Sequence, residues 1–428
     1  MTGYALLILL GAALLSLPVS HAPGVHVGLV DALFTAASAA SVTGLAVVET
    51  ASSFSLFGHL VILFLIQVGG VGVMASVTIF AVLLGWRIGL RHRQLVGLDL
   101  NQFSIRGVVR LSIRVIVFTL ALEAAGALVM LPSFARNFPP AQAAFYAVFH
   151  AVSAFCGAGL DLLGDGFARY LLSPVTAITF AVLITLGSLG FSVLEDLATE
   201  RRWSRLSFHS QVVLAVTAAL TLAGTAVVYF VEGANPHTLG DASVPERLLT
   251  AFFQAVSART AGFSAIPAGL MAGPSLFAFL LLMFVGASPG STGGGIKTTT
   301  AAILGAIVYS AVRGKRDVEL GRYRVDRAAI DGSLVVAISA AAWVIAVTFV
   351  LLITERADFM TTLFEVVSAF GTAGLSLGLT ESLSVAGKLV IAVTMFLGKV
   401  GPLALVLSLG GADRHGMTRL PEKRLIVG

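Results

Sequence analysis

The chain has 428 residues and a single cysteine, Cys156. That excludes an internal disulfide and any zinc site built on several thiolates. Charge is scarce as well, since Asp, Glu, Lys and Arg together make up 11% of the residues. No polar block long enough to fold alone interrupts the apolar runs, which argues against a soluble multidomain protein. No segment gathers a nucleophile, a base and an orienting group, so an enzyme is not expected. No lysine or arginine precedes the first apolar run, Gly3 to Val19, whereas a cleaved signal peptide needs a positive n-region; the run therefore reads as a short membrane span.

What the chain has in abundance is apolar sequence, at 57% hydrophobic residues and a mean hydropathy of +0.96. Runs of spanning length recur from end to end, and in lipid such runs satisfy their backbone as helices. The expected class is an all-α integral membrane protein.

Internal repetition is the strongest signal. Four segments share one form: "AASAASVTGLAV" at 36–47, "AVSAFCGAGLDL" at 151–162, "AVSARTAGFSAI" at 255–266 and "VVSAFGTAGLSL" at 366–377. Their glycines, Gly44, Gly159, Gly262 and Gly374, are 115, 103 and 112 residues apart, too far for a solenoid. Around each motif the order is constant: a spanning run, a segment too short to cross, the glycine motif, and a second run. The spans read as 4–19 and 57–86, 109–132 and 171–195, 210–231 and 274–312, and 331–354 and 384–410. The short segments suit re-entrant helices. Four repeats result: 1–95, 96–205, 206–327 and 328–428, the last carrying a carboxyl-terminal tail.

Positive charge orients them. Of 27 lysines and arginines, 19 fall in Arg87–Arg114, Arg201–Arg205, Arg313–Arg327 and Arg414–Arg424, each after a second span. Cytoplasmic loops carry such an excess. Every repeat therefore starts inside, dips from outside and returns inside, and both termini are expected in the cytoplasm of a multi-pass protein of the cell inner membrane. The net charge of +5 is accounted for by these loops, with no case for nucleic acid.

Four parallel copies can surround one axis, a pseudo-fourfold central pore lined by four loops. The motif residues Val42-Thr43-Gly44-Leu45, Gly157-Ala158-Gly159-Leu160, Thr260-Ala261-Gly262-Phe263 and Thr372-Ala373-Gly374-Leu375 carry no charge. Rings of backbone carbonyls can hold a dehydrated cation, and glycine permits the dihedrals that turn them inward. A single Gly-Ala-Gly would more simply be a packing contact; four, each between a half-span and a span, favour a filter. Asp161 and Glu49, just beyond two of the motifs, are placed at an acidic outer mouth, with Arg259 opposing them. Glu123, His150, Gln254 and Glu365 are read as hydrogen-bonding supports for neighbouring loops.

One long apolar stretch is broken by "ASPGSTGGGIKTTT" at 287–300. A lysine and irregular backbone at membrane depth must be covered by protein or water. A nucleotide-binding P-loop needs glycine directly before the lysine, and here Ile296 intervenes.

The four glycine motifs, "SPGSTGGGIKTTT" and the ending "PEKRLIVG" resemble the Trk/Ktr/HKT superfamily of potassium transporters across essentially the whole chain, and most closely its Ktr-type membrane subunit. The resemblance implies potassium uptake through a selectivity filter formed by Val42, Thr43, Gly44, Cys156, Gly157, Ala158, Gly159, Arg259, Thr260, Ala261, Gly262, Gly371, Thr372, Ala373 and Gly374. Glycine at Gly44 is the family's potassium-associated choice, where serine accompanies sodium. The resemblance also implies an intramembrane gate, with Gly290, Ser291, Thr292, Gly293, Gly294, Gly295 and Lys297. Lys399 stands where the family has arginine, so charge is kept and bidentate hydrogen bonding lost. No bound cofactor is expected, potassium being the cargo and sodium an optional activator. The implied partners are a second copy of the chain, the bilayer, and a cytosolic ring of RCK-type subunits that bind ATP or ADP. The competing reading is a sodium-coupled secondary transporter of a small organic solute; inverted repeats would favour it, whereas the charge pattern gives parallel ones.

Overall fold

The computed structural model describes residues 2–72, 108–164, 168, 170, 173–200 and 202–401. The far half of the expected 57–86 span, most of the first basic stretch, Arg169, Arg201 and the carboxyl-terminal tail lie outside the described residues. The fold is mostly helical, as expected. Repeat 1 supplies α1 (Thr2–Leu15), α2 (Leu29–Ser41) and α3 (Leu56–Val71). Repeat 2 supplies α4 (Val108–Phe134), α5 (Pro140–Cys156), α6 (Pro174–Leu189) and α7 (Phe191–Thr199). Repeat 3 supplies α8 (Phe208–Glu232), α9 (Val244–Thr260), α10 (Gly273–Phe284) and α11 (Thr298–Val312). Repeat 4 supplies α12 (Arg327–Thr354), α13 (Phe359–Gly371) and α14 (Val385–Val400). A short hairpin, β1 (Glu319–Leu320) and β2 (Tyr323–Arg324), joins the last two repeats, with Glu319 opposite Arg324.

Helix starts follow local chemistry. Ser55, Ser207 and Ser384 accept a hydrogen bond from the backbone N–H three residues on, opening α3, α8 and α14. Ser243 and Glu246 form a capping box at α9, and Asp358 caps α13 through the Thr361 N–H at 3.0 Å.

The radial arrangement follows from the solvent. The re-entrant helices α2, α5, α9 and α13 are central, and their last turns are buried throughout. The long helices α8 and α12 bury only 28% of their apolar windows, and large side chains such as Leu222, Phe230, Ile345 and Phe349 point outward. An apolar exterior of this kind is what a lipid surround demands.

The second spans depart from expectation. Hydropathy predicts uninterrupted runs, yet α3, α6 and α14 stop after 16 residues at Gly72, Gly190 and Gly401. Those three share one backbone conformation, φ of 99°, 93° and 91° with ψ of 134°, 143° and 139°, which only glycine adopts readily. In repeat 2 the chain then turns by 104° into α7. In repeat 3 the break is the whole loop from Val285 to Lys297. Among the described residues, three helices are singly long and apolar enough to cross a membrane, or four if the bent α6–α7 pair is one span.

Candidate functional site

The four glycine motifs meet, and they meet in chain order. A Cβ built on Gly44 would lie 2.6 Å from the Ala158 carbonyl oxygen, and one on Gly262 would lie 2.6 Å from that of Ala373. One on Gly159 would run into the Ala261 carbonyl, and one on Gly374 into that of Thr43. Repeat 1 thus touches repeat 2, 2 touches 3, 3 touches 4, and 4 closes on 1. One step earlier in the motif, Gly157 faces the Thr260 carbonyl, 2.5 Å from where its Cβ would be. All four glycines have positive φ, between 66° and 96°. A side chain at any of them would strain the backbone and displace a neighbouring carbonyl.

Each loop begins where a re-entrant helix ends. Val42, Gly157 and Thr372 cap α2, α5 and α13 in the left-handed conformation, whereas Ala261 ends α9 at φ −129°. Val42 at φ 58° and Thr372 at φ 49° are β-branched residues in a region that normally excludes them. The carboxyl ends of the four helices therefore converge on the ring and bring partial negative charge to it.

The Ser-Ala pair of each motif proves to be an anchor. The backbone carbonyls of Ser38, Ser153, Ser257 and Ser368 accept from the N–H of Thr43, Ala158, Gly262 and Ala373 at 2.7–3.2 Å. Three of the hydroxyls also reach the loop: Ser38 accepts from Gly44 N, while Ser153 and Ser257 donate to the Leu160 and Phe263 carbonyls. These roles were not anticipated, although the recurring serine was visible.

In repeats 2, 3 and 4 the polar residues higher on the helices support the outgoing strand of the loop. His150 donates from Nδ1 to the Tyr146 carbonyl at 2.7 Å and accepts from Leu162 N through Nε2 at 3.3 Å. Gln254 bonds Ser264 Oγ and Ala265 N at 3.1 and 3.0 Å. Glu365 accepts from Ser376 Oγ at 2.7 Å and from Thr380 Oγ1. Glu123 instead reaches inward, accepting from the buried Cys156 thiol at 3.8 Å.

Above the ring lies a cavity of about 510 Å³ lined by Gly44, Gly159, Glu49, Asp161 and Glu381. Glu49 and Asp161 were expected at such a mouth; Glu381, from repeat 4, was not. Arg259 does not oppose these acids. Its guanidinium lies beside the inner loop, with Nη2 donating to the Gly286 carbonyl at 3.3 Å and Nη1 to Thr221 Oγ1 at 3.5 Å.

The loop from Val285 to Lys297 packs against the inner ends of the re-entrant helices. Thr292 donates through N and Oγ1 to the Gly187 carbonyl, each at 3.1 Å, and through Oγ1 to that of Phe155 at 3.3 Å. Gly294 N donates to Thr372 Oγ1 at 2.8 Å, and Gly295 N to the Gly398 carbonyl at 3.2 Å. Lys297 Nζ donates to the Gly293 carbonyl at 2.8 Å, and Lys399 Nζ donates to that of Thr292. Gly290, at φ 66°, accepts from Phe191 N at 3.0 Å, and Ser291 Oγ donates to the Ser288 carbonyl at 2.6 Å. All the residues expected at the gate are therefore in one place. Gly371 lies slightly apart from the ring, its Cα against the Met283 carbonyl of α10.

One further contact recurs and was missed. Gly69, Gly187 and Gly398 each lie so close to a re-entrant helix, at the carbonyls of Ala40, Phe155 and Phe370, that no side chain fits. These glycines stand three residues before the breaks at Gly72, Gly190 and Gly401, a G-x-x-G spacing that was readable in sequence.

An apolar-sided helical protein that gathers four uncharged loops into one closed ring belongs to the class of membrane transport proteins, not enzymes. The model of the TrkH family of cation transport proteins matches residues 12–410, and the chain belongs to that family. It is 38% identical to the Ktr system potassium uptake protein B of Bacillus subtilis, covering 100% of this chain and 95% of that protein. It is 35% identical to the potassium/sodium uptake protein NtpJ of Enterococcus hirae, covering 100% and 96%. Among solved structures, the potassium transporter TrkH from Vibrio parahaemolyticus shares the fold with a TM-score of 0.73 at 19% identity, covering 96% of this chain and 85% of that one.

Proposed function

We propose that the protein carries potassium into the cell through the ring of four glycine loops, with the segment from Val285 to Lys297 as its gate. The observation that carries this reading is the ring, in which the Ala158, Ala261 and Ala373 carbonyls each lie beside the glycine of the preceding repeat and the Thr43 carbonyl lies beside that of the fourth. Oxygens so placed can replace the hydration shell of a monovalent cation, and the acids of the outer mouth raise its local concentration. Potassium is favoured by the named activity of the Bacillus subtilis relative and by glycine at Gly44. The loop is held to its surroundings through Thr292, Gly294 and Lys399, bonds whose release would clear the path below the ring, while Lys297 braces it internally at the Gly293 carbonyl.

On this reading both termini and the basic loops face the cytoplasm, where a ring of nucleotide-binding subunits docks and answers to ATP and ADP. The chain works as a homodimer, with sodium as an activator. Rubidium uptake into reconstituted vesicles, with and without sodium and an imposed voltage, tests the proposal. Uptake competed more strongly by potassium than by sodium is expected. Vesicles that accumulate no rubidium under either condition, yet take up an organic solute on a sodium gradient, would overturn it.

A further inference from the structure

The loop from Val285 to Lys297 touches three repeats, mostly through backbone carbonyls. One contact differs in kind. The N–H of Gly294 is bonded to a side chain, Thr372 Oγ1 at 2.8 Å, and Thr372 is itself a residue of the ring. The packing there is close, since a Cβ on Gly294 would fall 2.7 Å from both Thr372 Cγ2 and Oγ1. Thr372 is fully buried and sits at φ 49°, a left-handed conformation that a β-branched residue keeps only when its surroundings hold it. Its neighbours complete the ring: the Ala373 carbonyl faces Gly262, and Gly374 faces the Thr43 carbonyl.

The chain contains its own comparison. At the same point of repeat 1 stands Val42, at φ 58° and equally buried. Valine has the shape of threonine without the hydroxyl. Repeat 2 has Gly157 there, with no side chain at all. Of these three left-handed caps, the one facing the loop's N–H carries the acceptor.

We propose that Thr372 is a positioning residue through which the intramembrane loop and the ion-discriminating ring act on each other. With the loop in place, the Gly294 N–H holds the Thr372 hydroxyl and fixes the strained backbone that presents the Ala373 carbonyl. When the loop moves away that hold is lost, and the ring discriminates less well. The open pore is then less selective than the closed structure alone would indicate. The argument rests on the reading of ring and loop as filter and gate.

The test is a double-mutant cycle in reconstituted vesicles, reading basal rubidium flux and the ratio of rubidium to sodium uptake. Thr372→Val is expected to raise basal flux about fivefold and lower the ratio several-fold, a neutral hydrogen bond contributing roughly 1 kcal/mol. Val42 shows that valine tolerates this backbone. Thr372→Ala, which cannot overpack the site, is the second variant and should act in the same direction. Thr372→Ser keeps the acceptor and should recover most of the ratio. In a chain lacking residues 290–295, flux should rise and the ratio fall, and Thr372→Val should then change neither further. If Thr372→Val lowers the ratio equally with and without the loop, the threonine acts alone and the coupling is refuted. An unaltered ratio in Thr372→Val, with rubidium flux intact, refutes it too. A separate outcome, an unaltered ratio in Gly374→Ser, would instead strike at the filter reading.

Discussion

Gly44→Ser is the sharpest probe of the ring. At φ +96° any L-residue is strained, by about 1–2 kcal/mol for a left-handed backbone. Its Cβ would meet the Ala158 carbonyl oxygen at 2.6 Å and Gly159 Cα at 3.2 Å. Both are backbone atoms and cannot swing aside as the end of a flexible side chain would, so overpacking adds roughly 1–3 kcal/mol. The fold can relieve most of this by shifting the Val42–Leu45 loop or the Ala158 carbonyl outward. Either shift widens one side of the ring. If about 1.4 kcal/mol of the strain falls on the difference between two ions, discrimination drops about tenfold. The assay is rubidium uptake in vesicles against graded external sodium and potassium, with Gly305→Ala as control, since nothing lies within 4 Å of a Cβ there. Retained flux with an unchanged potassium-to-sodium preference would refute the reasoning, because the ring would have lost its geometry without losing its function.

Three other outcomes are expected. Lys388 and Asp31 pair at 2.7 Å with side chains 17% and 25% exposed, joining α14 to α2; Lys388→Met should lower stability by about 1–3 kcal/mol, read as a fall in Tm in detergent. An unchanged Tm would show that this pair is no clamp. The Thr361 hydroxyl, and after it the Thr361 N–H, hold the exposed Asp358 carboxyl below its ordinary value of 3.8. Its capping contribution is therefore complete above pH 3.8 and is lost as the pH falls through the lowered value. Asp358→Ala should cost about 1 kcal/mol at pH 6, and the gap to the native protein should narrow below pH 3.8; a gap that persists in acid contradicts this. Finally, charge reversal at Arg202, Arg313, Lys315 and Arg316 should weaken co-purification of a nucleotide-binding partner and blunt any response of flux to ATP or ADP. Full binding would place the docking surface elsewhere.

The repeats and their central loops were legible because each copy keeps its glycine, its Ser-Ala pair and its place between apolar runs. The breaks at Gly72, Gly190 and Gly401 were not. Hydropathy averages over many residues, and the sequence on either side of Gly190 is as apolar as a continuous helix would be; a single dihedral near +90° leaves no trace in such an average. The G-x-x-G spacing was the available signal, but only its recurrence at Gly69, Gly187 and Gly398 distinguishes it from ordinary small-residue packing. The re-entrant helices α5 and α9 run to 17 residues because proline-containing first turns, at Pro140 and Pro245, start each helix ahead of its apolar stretch. Arg259 was misplaced for a simpler reason. Adjacency to Thr260 fixes its Cα beside the ring, while direction along a helix surface sends its long side chain to Thr221 and Gly286. Contacts such as Gly294 with Thr372, separated by 78 residues, have no local signature at all.

The closure of the ring on itself has a bearing on how such a protein can be made safely. Gly374 seals against the Thr43 carbonyl, so the first repeat and the last must both be present before the circle exists. Synthesis runs from the amino end, and domains form as they emerge. A nascent chain that has inserted three repeats still lacks the contact that closes the circle. A protein assembled from four identical subunits could stall as a leaky trimer; here, on the filter reading, the ring closes only once the fourth repeat is in place. On the filter reading, a chain that ends upstream of residue 374 never closes the ring, and the Lys399 bond to the Thr292 carbonyl is added only by residues still further on.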